Sequence, residues 1–276
     1  MHSNFAISPL SHTLSAMNQD QAFSILTMGS NVLLTGAAGS GKTYLVNRFI
    51  RHCHEHSIDI AITASTGIAA THIGGMTIHS WSGMGIRETL SDDEIEELIS
   101  REYLAKRYAK TSVLIVDEIS MLSGNFLTNL DRLLRSARVS PAAFGGIQIV
   151  LVGDFFQLPP VSRGAVEYAF EHPIWSRLEL TPCVLSTQFR QASESGQDPL
   201  LDILSEIRKG EVSTTSRELL RSRDVPVLTS DHTELFTRNQ SVDEYNIDHL
   251  RILPGEDYTY YMESRGAEKF TDALKK

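Results

Sequence analysis

"NVLLTGAAGSGKTYLVNRFIRHCHE", residues 31–55, decides the fold of this 276-residue chain. An apolar strand-like run (31–36) enters a glycine-rich turn, and the turn opens a segment that reads as a helix. Within it, "GAAGSGKT" (36–43) fits the pattern G-x-x-x-x-G-K-[ST]. Glycines allow unusual dihedrals and close backbone approach. A loop of this kind, set between a buried strand and a helix N-terminus, surrounds phosphates with backbone N–H groups. The expected nucleotide cradle is therefore Gly36, Ala37, Ala38, Gly39, Ser40, Gly41, Lys42 and Thr43. Lys42 would hold the β and γ phosphates, and Thr43 would ligate Mg²⁺. The bland alternative is a glycine-rich strand–helix turn with no ligand.

Working outward, the same alternation recurs. "IDIAITAS" (58–65), "SVLIVDE" (112–118), "IQIVLVGD" (147–154) and "CVLS" (183–186) read as buried strands. "SGNFLTNLDRLLRSAR" (123–138) reads as a helix with Phe126, Leu127, Leu130, Leu133 and Leu134 on one side. Continuous Val/Ile/Leu strands alternating with helices predict an α/β fold, a parallel sheet covered on both faces. "SDDEIEELISRE" (91–102) has Ser91 and Glu94 in capping-box spacing, with Ile95, Leu98 and Ile99 on one helical face.

Two strand exits carry chemistry. After "VLIV" comes Asp117, at the edge where open α/β sheets bind ligands, and then Glu118. Asp117 is expected to hold Mg²⁺ and Glu118 to act as general base toward water. The exit "GDFFQLPPV" (153–161) places Asp154, Gln157 and a stiff Pro-Pro turn after a second buried strand. If that strand lies beside the first, Gln157 can reach a γ-phosphate or the attacking water. Otherwise the prolines simply end the strand.

The bulk properties fit a globular protein: 41% hydrophobic, 21% charged, net charge −9. The acidic balance counts mildly against nucleic-acid binding, yet a groove can be locally basic. No apolar run reaches membrane-span length. The first twenty residues contain no Lys or Arg, unlike a secretory or transit signal, so an intracellular location is expected. That means cytoplasm or nucleoid in a prokaryote, the nucleus in a eukaryote. Cys53 and Cys183 form no CxxC pair and are expected as reduced thiols. "RHCHEH" (51–56) has the look of a metal cluster but lacks a second ligand pair, and reads as a solvated helix end.

"GAAGSGKT", "ITASTGIAATHIGGMTIHS" (62–80), "LIVDEISML" (114–122), "GGIQIVLVGDFFQLPPV" (145–161) and "LSTQFRQ" (185–191) follow the order and spacing of superfamily-one DNA helicases. The chain most resembles the PIF (petite integration frequency) branch, over residues 17–260. That resemblance implies a P-loop NTPase with a RecA-like parallel sheet flanked by helices. It implies an ATP-dependent 5′-to-3′ DNA helicase, acting in replication, repair, recombination or telomere maintenance on single-stranded and forked or structured DNA. It assigns adenine reading to Gln21, single-strand contacts to Thr66, Gly67, His79 and Ser80, and an arginine finger to Arg190. Taken alone, the same residues are a loop, a structural histidine and a surface arginine. Trp81 alone fits base stacking or core packing equally.

After residue 182 the texture changes. "DPLLDILSEIRKGEVS" (198–213) and "SVDEYNIDHLRIL" (241–253) look helical, with "ELFTRN" (234–239) as a short strand. The expected division is a motor domain over 1–181 and the start of a second RecA-like domain over 182–276. The family's later motifs are not found before Lys276, so the second lobe is expected to be incomplete. A monomer is expected. The rival readings are a non-hydrolysing ATP- and ssDNA-binding module, and a P-loop kinase or ATPase unrelated to DNA.

Overall fold

A computed structural model describes residues 17–87, 89–161, 166–186, 199–224, 233–255, 258–261 and 263. The chain divides into two compact units, Met1–Ser213 and Thr214–Lys276.

The first unit runs α1 (Gln19–Thr27), β1 (Val32–Gly36), α2 (Lys42–Glu55), β2 (Ile60–Ala64), α3 (Gly67–His72), β3 (Met76–Thr77) and α4 (Ile78–Ser82). It continues with α5 (Asp92–Ser100), α6 (Glu102–Lys110), β4 (Val113–Asp117), α7 (Gly124–Ala137), β5 (Gln148–Gly153), α8 (Ile174–Arg177), β6 (Thr181–Leu185) and α9 (Pro199–Lys209). The six strands form one sheet in the order β3-β2-β4-β5-β1-β6. Every pair is parallel.

Both faces of this sheet are buried, which is why its strands read as unbroken apolar runs. The two-residue strand period sorts them. Val32, Leu34, Val113, Ile115, Val150 and Val152 pack with Leu45, Val46 and Phe49 of α2. Leu33, Leu114, Val116, Ile149 and Leu151 pack on the other face against Phe126, Leu127, Leu130, Leu133 and Leu134 of α7. The predicted capping box forms at α5: Ser91 Oγ accepts from Glu94 N, and Glu94 Oε2 accepts from Ser91 N. Ile95 and Leu98 are buried below it.

The edge strand β3 was not predicted. Two residues carry no periodic signal, and its place depends on Gly75, where a Cβ would lie 2.2 Å from Ile62 O. The boundary expected at 181/182 falls within β6, which pairs with β1 from Val32↔Thr181 to Gly36↔Leu185. The first unit extends through α9 to Ser213.

At the N-terminal ends of the strands, polar side chains close the structure. Asn31 donates to Leu178 O and accepts from Ile149 N. Gln148 Nε2 donates to Leu26 O and Ser30 O. Arg138, just past α7, donates to the carbonyls of Tyr108, Ala109, Thr111 and Gly145. A cleft of about 510 Å³ opens at this end, lined in part by Phe49, Asn31 and Gln148.

The second unit contains α10 (Thr214–Arg223) and α11 (Asn239–Ile252). The strand expected over 234–239 does not form: 234–236 are irregular and Asn239 begins α11. The segment turns onto its own helix instead. Phe236 packs 5.2 Å from the Tyr245 ring, and Tyr245 Oη donates to Glu234 Oε1 at 2.9 Å.

Candidate functional site

β1 delivers the chain to the glycine-rich loop at the C-terminal edge of the sheet. A Cβ on Gly36 would sit 2.6 Å from Leu185 O and 2.7 Å from Ser40 Oγ, so only glycine fits there. Gly41 takes left-handed dihedrals (φ 87°) and caps α2 with no side chain. The first-turn N–H groups of this 14-residue helix therefore point out of its N-terminus without a side-chain acceptor. That is the chemistry of an anion seat. Lys42 Nζ bends over the same loop, donating to Gly36 O at 2.7 Å and Ala37 O at 3.1 Å. Burial holds the Lys42 ammonium below its ordinary pKa, against the opposing pull of Asp154 first and Glu118 next. The Ser40 hydroxyl is buried with no hydrogen-bond partner.

β4 ends beside this loop with one strand between. β5 lies between β4 and β1, with Val116↔Leu151 on one side and Thr35↔Gly153 on the other. The expected neighbour relation between "VLIVDE" and "GDFFQLPPV" is thus the observed one. Asp117 Oδ1 accepts from Glu118 N at 2.9 Å. Burial raises the Asp117 carboxyl above its ordinary value. Burial, and then the Asp117 charge, raise Glu118 likewise. Glu118 also sits in left-handed backbone (φ 55°, ψ 48°), uncommon for a residue with a long side chain. Such strain gathers where function over-determines the chain. Gly153 allows β5 to close on this turn, since a Cβ there would meet Ile119 N at 3.0 Å.

At the β5 exit the structure joins Asp154, to which the sequence reading gave no partner, to Arg208, which it did not single out. Asp154 is 2% exposed. Its Oδ1 accepts from Phe156 N at 3.1 Å, and its Oδ2 accepts from Gln157 Nε2 at 3.4 Å and from Arg208 Nη1 of α9. Gln157 is exposed and tied to Asp154 twice, since its backbone N–H also donates to Asp154 O at 2.9 Å. A charged side chain closing a buried strand was the available signal for Asp154. Arg208 gave none, because its partner is 54 residues away in sequence.

The remaining expected residues divide. Gln21 lies on α1, its Oε1 accepting from Asn18 N in a capping box. The α1 side chain that touches the phosphate loop is Gln19, whose Nε2 donates to Gly41 O at 3.4 Å. Thr66 caps α3, accepting from Ala69 N, and Gly67 opens that helix, exposed. Thr77 caps α4, accepting from Ser80 N and donating to Ser80 Oγ. His79 is half-buried, 4.7 Å from the Phe126 ring, and burial lowers its pKa. Trp81 is buried against Tyr108, so core packing is its role. Arg190 lies outside the described residues.

"RHCHEH" ends α2. His52 packs on Phe23 and on His56, and burial pushes the Cys53 thiol up to about 11. Among the described residues no group of three His, Cys, Asp or Glu side chains is placed to hold a metal. Thr43 stands next to Lys42 at the start of α2, and the Asp117 carboxylate is close enough to act on Lys42. Two hard oxygens suit Mg²⁺, which completes its shell with phosphate and water rather than a protein cage.

Residues 15–218 match the family described as PIF1-like helicase. The ATP-dependent DNA helicase Pif1 of Psychrobacter is 42% identical over 268 residues, covering 94% of this chain and 41% of the relative. The crystal structure of Pif1 helicase from Candida albicans superposes with a TM-score of 0.73 at 31% identity, over 88% of this chain and 56% of that one. Pif1 from Bacteroides, in complex with ADP-AlF3 and ssDNA, gives 0.70 at 26% identity, over 93% and 62%. The chain thus spans about two fifths of the length of the Psychrobacter relative. Its six-stranded parallel sheet is the RecA-like P-loop fold of those structures, and by the match over most of its length the chain belongs to the PIF1-like helicase family.

Proposed function

We propose that this chain binds ATP with Mg²⁺ at the exits of β1, β4 and β5 and hydrolyses it, as the motor portion of a 5′-to-3′ DNA helicase. One observation carries the reading: Lys42, the Asp117–Glu118 pair and the Asp154–Gln157 turn follow the exits of three adjacent parallel strands at one edge. The Bacteroides structure, with its ADP-AlF3 and ssDNA, supports it.

The roles in this reading combine the geometry at the strand exits with the family resemblance. Lys42 and the N–H groups opening α2 bind phosphate oxygens. Thr43 and Asp117 hold Mg²⁺, which supplies charge neutralisation at those oxygens. Glu118, whose carboxyl burial raises above its ordinary value, is the general base toward water in this reading. Gln157 aims an amide from the Asp154 turn toward the same place. Arg190 offers charge stabilisation and Gln21 an amide for adenine. Thr66, Gly67, His79 and Ser80 flank the N-termini of α3 and α4, whose N–H groups suit the backbone of single-stranded DNA. Substrates with forks or other structure, action as a monomer and an intracellular site belong to this reading. So does the assignment of residues from 182 onward to a second motor lobe.

The test is phosphate release with and without a single-stranded oligonucleotide. DNA-stimulated release that disappears in Lys42→Ala supports the motor. Release no greater than in that variant leaves a binding module, and release indifferent to oligonucleotide leaves an ATPase unrelated to DNA.

A further inference from the structure

The ion pair between Asp154 and Arg208 joins the β5 exit to the last helix of the first unit. Asp154 is buried, and a buried carboxylate stripped of its partner is strongly unfavourable. The Arg208 side chain is largely covered as well, 28% exposed. Its guanidinium lies 4.3 Å from the centre of the Phe156 ring, a cation–π contact. One arginine therefore grips the turn twice, through the carboxylate that begins it and the aromatic ring two residues on. Gln157 comes next, bonded to the same carboxylate oxygen that receives Arg208. This pair also stands in the field of the phosphate loop. Among the charges acting on Lys42, the Asp154 carboxylate is the strongest, and Arg208 acts in the opposite sense.

We propose that Arg208 is a positioning residue for the phosphate site: it fixes the Asp154–Phe156–Gln157 turn, and it satisfies Asp154 so that Lys42 stays available to phosphate. The inference rests on the nucleotide reading above. It has two separable parts. The charge of Arg208 keeps Asp154 from drawing Lys42 to itself. The planar fork, stacked on Phe156, sets where Gln157 points. Lysine keeps the charge but not the fork or its stacking geometry.

The test uses the whole chain, with binding of a fluorescent ATP analogue and phosphate release measured on the same samples. Thermal melting reports folding. Arg208→Gln should weaken nucleotide affinity by about tenfold, as a carboxylate is left to compete for Lys42. Asp154→Asn with Arg208→Gln, which removes both charges, should recover affinity to within about threefold of the unmodified chain while turnover stays low. Arg208→Lys should hold affinity and lose turnover, a split that general loosening of the fold does not produce. It also serves as the second variant should Arg208→Gln fail to fold. Unchanged affinity and turnover in Arg208→Gln overturn the assignment, as does a double variant no better than the single one. If the unmodified chain binds no nucleotide analogue at all, the nucleotide reading itself falls and takes this assignment with it.

Discussion

At the N-terminal ends of the strands, Asn31, Gln148 and Arg138 are polar groups whose bonds are made: together they satisfy seven backbone carbonyls and one N–H. At the C-terminal ends the polar groups are left wanting. Ser40, Ser65 and Ser120 bury hydroxyls without partners, Asp117 and Glu118 are carboxylates that burial penalises, and Glu118 holds left-handed backbone. The cleft of about 510 Å³ lies at the satisfied end. A hollow by itself therefore does not mark the chemistry here. Unmet hydrogen bonds and raised carboxyls at the other edge mark it better than backbone strain does, since left-handed dihedrals also occur at Ser57, Val139, Phe144 and Glu179 near the satisfied end.

The contrast can be broken by mutation. Lys42→Ala should reduce phosphate release by about 100-fold or more, the scale of losing a preorganised charge at a reacting phosphate. Wild-type release from that variant would dissolve the distinction between the two ends. Arg138→Ala should do the reverse. Four carbonyls lose a charged donor, and stability should fall by about 2–3 kcal/mol, about 5–10 °C in melting temperature, with turnover per folded molecule unchanged. A turnover loss as steep as that of Lys42→Ala would place both ends in the mechanism.

A finer prediction uses the raised carboxyl at Glu118. Its charged form is disfavoured in the folded chain, so the fold loses stability as pH rises through the raised pKa. Below the ordinary carboxylate range that loss is absent. Glu118→Gln should stop turnover, keep nucleotide binding, and melt a few degrees higher than wild type at neutral pH. The melting gap should close by about pH 3, below the ordinary carboxylate range, where the carboxyl is protonated in both folded and unfolded chains. A gap independent of pH would assign the effect to packing instead. The smallest effect expected is at the proposed DNA face. Ser80→Ala should weaken oligonucleotide binding by no more than about threefold, since contacts there are shared among several N–H groups and hydroxyls. A tenfold loss, measured by anisotropy, would make Ser80 a principal contact.

Much of the nucleotide edge was legible because its residues act over short sequence distances. The turn at Gly36–Gly41 and the helix Lys42–Glu55 follow from glycine conformation and from where periodicity begins. The strand exits at Asp117 and Asp154 follow from apolar runs ending on carboxylates. What escaped depends on tertiary placement. Arg208 finds Asp154 only when α9 packs beside the β5 exit. The Asn18–Gln21 capping box, by contrast, is local and its spacing is readable in the sequence. The run 234–239 looked like a strand because Phe236 is aromatic, but that ring had a nearer partner in Tyr245.

The left-handed turn at Glu118 has a consequence for how such a chain drifts. Glycine at that position would relieve the dihedral and remove a penalised carboxyl at the same time, so stability alone rewards losing the proposed general base. A library of variants ranked by heat resistance should therefore enrich inactive chains at Glu118 before almost anywhere else. Only a screen that demands turnover would hold the glutamate in place.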